Sequence, residues 1–142
     1  MKKINVLVMM ILTVMIAQEI NAQKKTQEFT VSREMNVSAD KVWQIVGEGF
    51  ADIAKSHPML ASSDYINGHE SAGEGCERVC AINESGSKYT HEKQVNYDPA
   101  NYTFDVEMSE VAGMPLDAEY SGTTYKVEAI DADHSRFIFT ME

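Results

Sequence analysis

From Phe29 onward the chain alternates between apolar and polar positions. Phe29, Val31, Met35 and Val37 share one face of an extended segment, and Thr30, Ser32, Glu34 and Asn36 share the other, which predicts a half-buried β-strand. The period then changes. Ser38 stands where a helix N-cap belongs, and in "ADKVWQIV" the residues Val42, Trp43, Ile45 and Val46 recur at helical spacing, so a short amphipathic helix is expected to end at Gly47. A second short helix is expected over Phe50 to Lys55, closed before Pro58, which cannot continue it. Beyond it the pattern returns to strands: Asp64 to His69, Cys76 to Asn83, Lys88 to Tyr97, Tyr102 to Glu110, Glu119 to Ile130 and Arg136 to Met141. The separators "SAGEG", "ESGS", "DPAN", "VAGMP" and "DADH" are turn chemistry, and their shortness makes the sheet antiparallel. The clearest strand is "YTFDVEMSE", with Tyr102, Phe104, Val106 and Met108 on one side. Trp43 is expected to pack its helix on the sheet.

The N-terminus changes the picture of where this domain works. Lys2 and Lys3 precede the apolar run Ile4 to Ala17, followed by a polar stretch with the small residue Ala22 at a plausible cleavage point. The run is shorter than the roughly 20 residues that span a bilayer, so residues 1–22 are expected to be a signal peptide rather than a membrane anchor. Residues 23–142 then form one domain, expected to be secreted or periplasmic. The formal charge of −10 stays acidic once that segment is removed, and such a surface repels phosphate backbones and anionic lipid, which excludes nucleic acid as a partner.

Two cysteines occur, Cys76 and Cys80. On a strand they share a face but lie about 13 Å apart at roughly 3.3 Å per residue. A disulfide needs about 4.4 to 6.8 Å between Cα atoms, so no bridge forms, and the same distance and the lack of paired histidines argue against a metal site. The remaining readings are packing on the inner face beside Arg78 and Ile82, or a nucleophile. No cofactor is expected.

One strand, two short helices and then six antiparallel strands is the order of the helix-grip fold. "VSADKVWQIVGEGF", the "GEGCER" turn and strand, "THEKQVNYDPANYTFDV" and "GMPL" before "GTTYKVEAI" resemble the SRPBCC (START-like) superfamily, nearest its polyketide cyclase/dehydrase and lipid-transport branch. The resemblance implies an α+β fold in which a seven-stranded curved antiparallel sheet encloses a cavity for a small apolar or amphipathic ligand. It also implies a long C-terminal helix across the sheet, whereas this sequence stops at "FIFTME". Phe104, Val106, Met108, Tyr125, Val127, Phe137 and Phe139 are then expected to line a concave face lacking that cover, and a homo-oligomer formed through this face is one way to close it.

By the same resemblance Arg78, Glu92 and His57 are the polar candidates for the cavity. Each has a second reading. Arg78 either contacts ligand or pairs with Glu92 across adjacent strands. His57 is either a ligand contact or a loop residue. His91 and Glu92 are adjacent and face opposite ways, so they cannot serve one site. His69 and His134 fall in turns and are expected to be solvated. No nucleophile stands with a base, so a binding protein is the expected function. The alternative is a cyclase or dehydratase-like enzyme, with Glu92 and His57 moving protons and Tyr89 or Tyr97 donating.

Overall fold

The computed structural model describes residues 27–142; the expected signal segment lies outside them. Among the described residues seven strands build one antiparallel sheet: β1 Phe29–Met35, β2 Ser62–Tyr65, β3 Glu77–Ala81, β4 Tyr89–Asp98, β5 Thr103–Ala112, β6 Gly122–Ala129 and β7 Ser135–Met141. Their spatial order is β1-β7-β6-β5-β4-β3-β2, so every neighbouring pair from β2 to β7 is a sequential hairpin and the first strand closes onto the last. No helix of the described residues is long and apolar enough to cross a membrane.

Between β1 and β2 the chain forms helix α1 (Ala39–Trp43), which runs on as a π-helical turn over Gln44–Glu48 and, after Gly49, a 3₁₀ turn over Phe50–Lys55. Gly47, expected to end the helix, lies inside it. A Cβ placed there would stand 2.6 Å from two atoms of the Trp43 indole, so the glycine is required by the ring packed on it. Gly47→Ala is accordingly expected to cost about 1 to 3 kcal/mol through overpacking, read as a lowered denaturation midpoint. A change below experimental error would show that the ring has room to move. Ser38 occupies the N-cap position with extended backbone, but its side chain makes no capping bond.

These helical turns cover one part of the concave face. Ala39, Val42, Trp43, Val46 and Phe50 pack onto Cys76, Phe104, Val106 and Val127 to make the core. Trp43 stands 5.5 Å from the Tyr97 ring, 5.7 Å from Tyr102 and 5.8 Å from Phe104, joining helix to sheet as expected. Gln94, fully buried on β4, ties the layers together. Its Nε2 donates to the Gly47 carbonyl (3.3 Å), and its Oε1 accepts from the Gly73 amide (2.9 Å) and the Cys76 thiol (3.2 Å).

Three strand expectations need correction. β1 is exposed along nearly its whole length, with Phe29 50% and Val31 53% accessible. It is an edge strand, and the helical turns lie over the middle of the sheet, so only Met35 at its end reaches the core. The segment after Tyr65 leaves β2 because Asn67 (φ 57°) and Gly68 (φ 81°) turn left-handed there. β5 continues through Val111 and Ala112, past a register shift against β4 at His91/Glu92. Glu92 faces Met108 and Thr90 faces Val111, so the inward alternation of Phe104, Val106 and Met108 resumes at Val111.

Candidate ligand-binding site

The inner face changes character across its width. On β3 and β4 it is polar: Arg78 lies opposite Glu92 and Cys80 opposite Thr90. On β5, β6 and β7 it is aromatic and aliphatic. Phe104 is opposite Tyr125, Tyr125 opposite Phe139, and Val127 opposite Phe137.

The polar part is buried and internally satisfied. Arg78 Nε and Nη2 both donate to Glu92 Oε2, at 2.8 and 2.6 Å, and Thr90 Oγ1 donates to the other carboxylate oxygen at 2.6 Å. Nη1 donates to the Phe50 carbonyl, and the guanidinium carbon sits 3.8 Å from the Phe50 ring centroid. Thus the 3₁₀ turn is held over the pair through both its backbone and its ring. Burial works to lower the Arg78 pKa, but the facing carboxylate more than offsets it, and the guanidinium is held charged. Of the two readings of Arg78, the ion pair with Glu92 is the contact the structure contains.

Tyr125 connects the two halves. Its ring stacks on Phe104 at 4.7 Å and 6°, and meets Phe139 edge-on at 5.2 Å and Phe137 at 6.1 Å. The charges of Arg78 and Glu92, with the Cys80 thiol, all act on its hydroxyl. Burial raises its pKa, against the opposing pull of Arg78. Phe139 in turn meets Phe29 of β1 at 6.2 Å, so an aromatic row runs from the core to the exposed edge of the sheet. Tyr125, Phe137, Phe139 and Met108 are half-buried, in contrast to the enclosed Phe104 and Val106.

Other candidates lie elsewhere. His57 is exposed in the loop after the 3₁₀ turn, its backbone amide bonded to Ile53, and none of the hydrogen bonds of Arg78 or Glu92 reaches it. Tyr89 points to the convex face, where its hydroxyl donates to Glu110 and His91 lies 3.2 Å from the same carboxylate, so it cannot donate into the concave site. Tyr97 is on the concave side but is stacked on Trp43. His134 is exposed and joined to Asp131 (2.8 Å) in the β6–β7 turn. Among the described residues no three His, Cys, Asp or Glu side chains converge to hold a metal ion. Two clefts open away from the pair. One, of about 240 Å³, lies between Val95, Glu107 and Thr124; the other, of about 410 Å³, lies between Glu48, Asp64 and Glu70.

Both cysteines are free and buried on the inner face. Cys80 contacts Ser63 Oγ at 3.6 Å, and burial, with the nearby Glu92 charge, pushes its thiol up to about 11. Burial raises Cys76 as well. These are thiols, not thiolates, at neutral pH, which leaves the packing reading. The folded protein keeps a proton on Cys80 that the unfolded chain sheds near 9.0, so Cys80 leaves stability unchanged below that pH and lowers it as the pH rises from 9.0 to about 11. Urea melts across this window should lose on the order of 2 kcal/mol more in the parent than in Cys80→Ser; equal losses would contradict the assignment.

Sequence comparison accords with this arrangement. Residues 26–142 match the family model described as polyketide cyclase / dehydrase and lipid transport. The chain belongs to that family. No curated protein matches the sequence. Among solved structures, the family fold is shared with XoxI from Bacillus cereus (TM-score 0.67, 19% identity, 82% of this chain and 75% of that one). It is shared too with the Zhui aromatase/cyclase from Streptomyces sp. R1128 (TM-score 0.64, 16% identity, 81% and 66%). A START superfamily protein from Mycobacterium smegmatis is similar as well (TM-score 0.64, 11% identity, 82% and 75%). For this polyketide cyclase / dehydrase and lipid transport family member, the helix-grip α+β fold expected from the sequence is the fold observed.

Proposed function

We propose that this chain is an exported binding protein that holds a small apolar or amphipathic ligand on the concave face of its sheet. The observation that carries the reading is the continuity of a half-exposed aromatic row, Tyr125, Phe137 and Phe139, with a buried polar group at one end. An apolar strip with one fixed polar end is the composition of a small-molecule site. The family supports the same reading. Arg78, Glu92, Phe104, Val106, Met108, Tyr125 and Phe137 are the proposed site. Arg78, Glu92, Phe104 and Val106 form its buried wall, and Tyr125, Phe137 and Met108 offer contact surface. His57 stays outside it. A proton-transfer role for Glu92 draws less support, since Arg78 and Thr90 already engage both of its oxygens.

Native mass spectrometry of protein purified from its own host tests this reading. A bound small molecule, released on denaturation, is the expected result, and light scattering should find the loaded form monomeric and the stripped form associating through the uncovered strip. Repeated absence of any bound species, with no uptake of apolar dyes, would remove the assignment.

A further inference from the structure

The charge balance of the polar end restricts what the strip can hold. Arg78 and Glu92 cancel one another, and three of the guanidinium donors are engaged by Glu92 and the Phe50 carbonyl. Among the described residues Trp43 Nε1 is the one buried polar side-chain atom left without a partner, so the Arg78–Glu92–Thr90 group asks for no counter-ion. A carboxylate or phosphate entering here would either draw Arg78 away, leaving Glu92 buried and unpaired, or add a second negative charge beside it. The chain as a whole, at −10, opposes an anion too. The other cation on this face is Arg33, opposite Phe137 at the outer edge, and it is exposed to water, where its attraction is weak and screened.

What the polar end does present is the Tyr125 hydroxyl. Tyr125 is half-buried between Phe104 and Phe139, and a phenolic hydroxyl carries a proton to donate.

Resting on the binding reading above, we propose that the ligand is uncharged at its inner end: an apolar body lying on Phe137 and Phe139, with a carbonyl, ether or hydroxyl oxygen accepting from Tyr125.

The test is calorimetric titration of the purified protein with a chain-matched pair, 1-decanol and decanoate, at neutral pH and low salt. Decanol is expected to bind at least about tenfold more tightly. Tyr125→Phe should weaken decanol roughly three- to tenfold and leave decanoate unchanged. Glu92→Gln, which keeps the shape and leaves Arg78 unbalanced, should turn the preference toward decanoate; if that variant does not fold, the parent and Tyr125→Phe comparisons decide alone. Equal or tighter binding of decanoate by the parent overturns the inference while leaving the binding reading intact, and loss of that decanoate binding in Arg33→Gln would place the head group at the edge instead. Failure of both probes, together with an empty native mass spectrum, overturns both.

Discussion

Arg78→Ala is expected to lower stability by about 3 to 5 kcal/mol, a large part of the roughly 5 to 15 kcal/mol that holds a domain of this size. The loss follows from what stays behind more than from the attraction removed. Glu92 is 9% exposed, and without Arg78 its carboxylate would keep only the Thr90 hydroxyl. The Phe50 carbonyl and ring would lose their contact at the same time, loosening the 3₁₀ turn. Glu92→Ala should cost a similar amount by stranding the guanidinium. The double replacement Arg78→Met with Glu92→Leu removes both charges and fills the volume, so it should be more stable than either single variant. Denaturant melts of the parent, Arg78→Met, Glu92→Leu and their combination form a double-mutant cycle, with the two alanine variants measured beside it. Single variants that lose less than about 1 kcal/mol, or strictly additive effects, would show that the pair is not a buried unit.

Phe104→Ala is the second large effect, at about 3 to 5 kcal/mol. Phe104 is 1% exposed and lies where three aromatic contacts converge: Trp43 at 5.8 Å, Phe50 edge-on at 5.9 Å and Tyr125 face to face. Those neighbours belong to the helix, the 3₁₀ turn and β6, so no single side chain can collapse into the space. Because Tyr125 loses the ring beneath it, decanol affinity should fall in the same variant, whereas Phe104→Leu should restore most of the stability. A loss below about 1.5 kcal/mol for Phe104→Ala would mean that the cavity refills.

The alternation of Phe104, Val106 and Met108, the turn clusters and the change of period at Ser38 made the strand count and the fold legible. The Arg78–Glu92 pairing was legible as well, from residue type and strand adjacency. What the pattern hid has specific causes. The inner positions of β4 are Thr90, Glu92 and Gln94, all polar, so no apolar alternation marks which side faces in. Tyr89 therefore looked available to the site although it belongs to the convex face. Gly47 reads as a helix terminator in any local window, and its true constraint is the Trp43 ring. The exposure of Phe29 and Val31 depends on which strand lies at the edge, and that is settled by topology, not by period.

That topology has a kinetic consequence. β1 pairs along its whole length with β7, from Phe29 with Met141 to Met35 with Ser135, and the hydroxyls of Thr30 and Thr140, 3.0 Å apart, join residues 110 positions apart. β2, its nearest strand in sequence, lies at the opposite edge of the sheet. Hairpins β2 to β6 can form as each emerges from synthesis, but β1 has no template until β7 is complete. Closure is therefore a late, entropically costly step that places this domain among slow-folding, high-contact-order topologies. Until it occurs, the β6 edge and the apolar side of β1 are both open to other chains. A chain stalled before Ser135 would keep two sheet edges open at once, because β7 is the strand that joins β1 to the rest of the sheet.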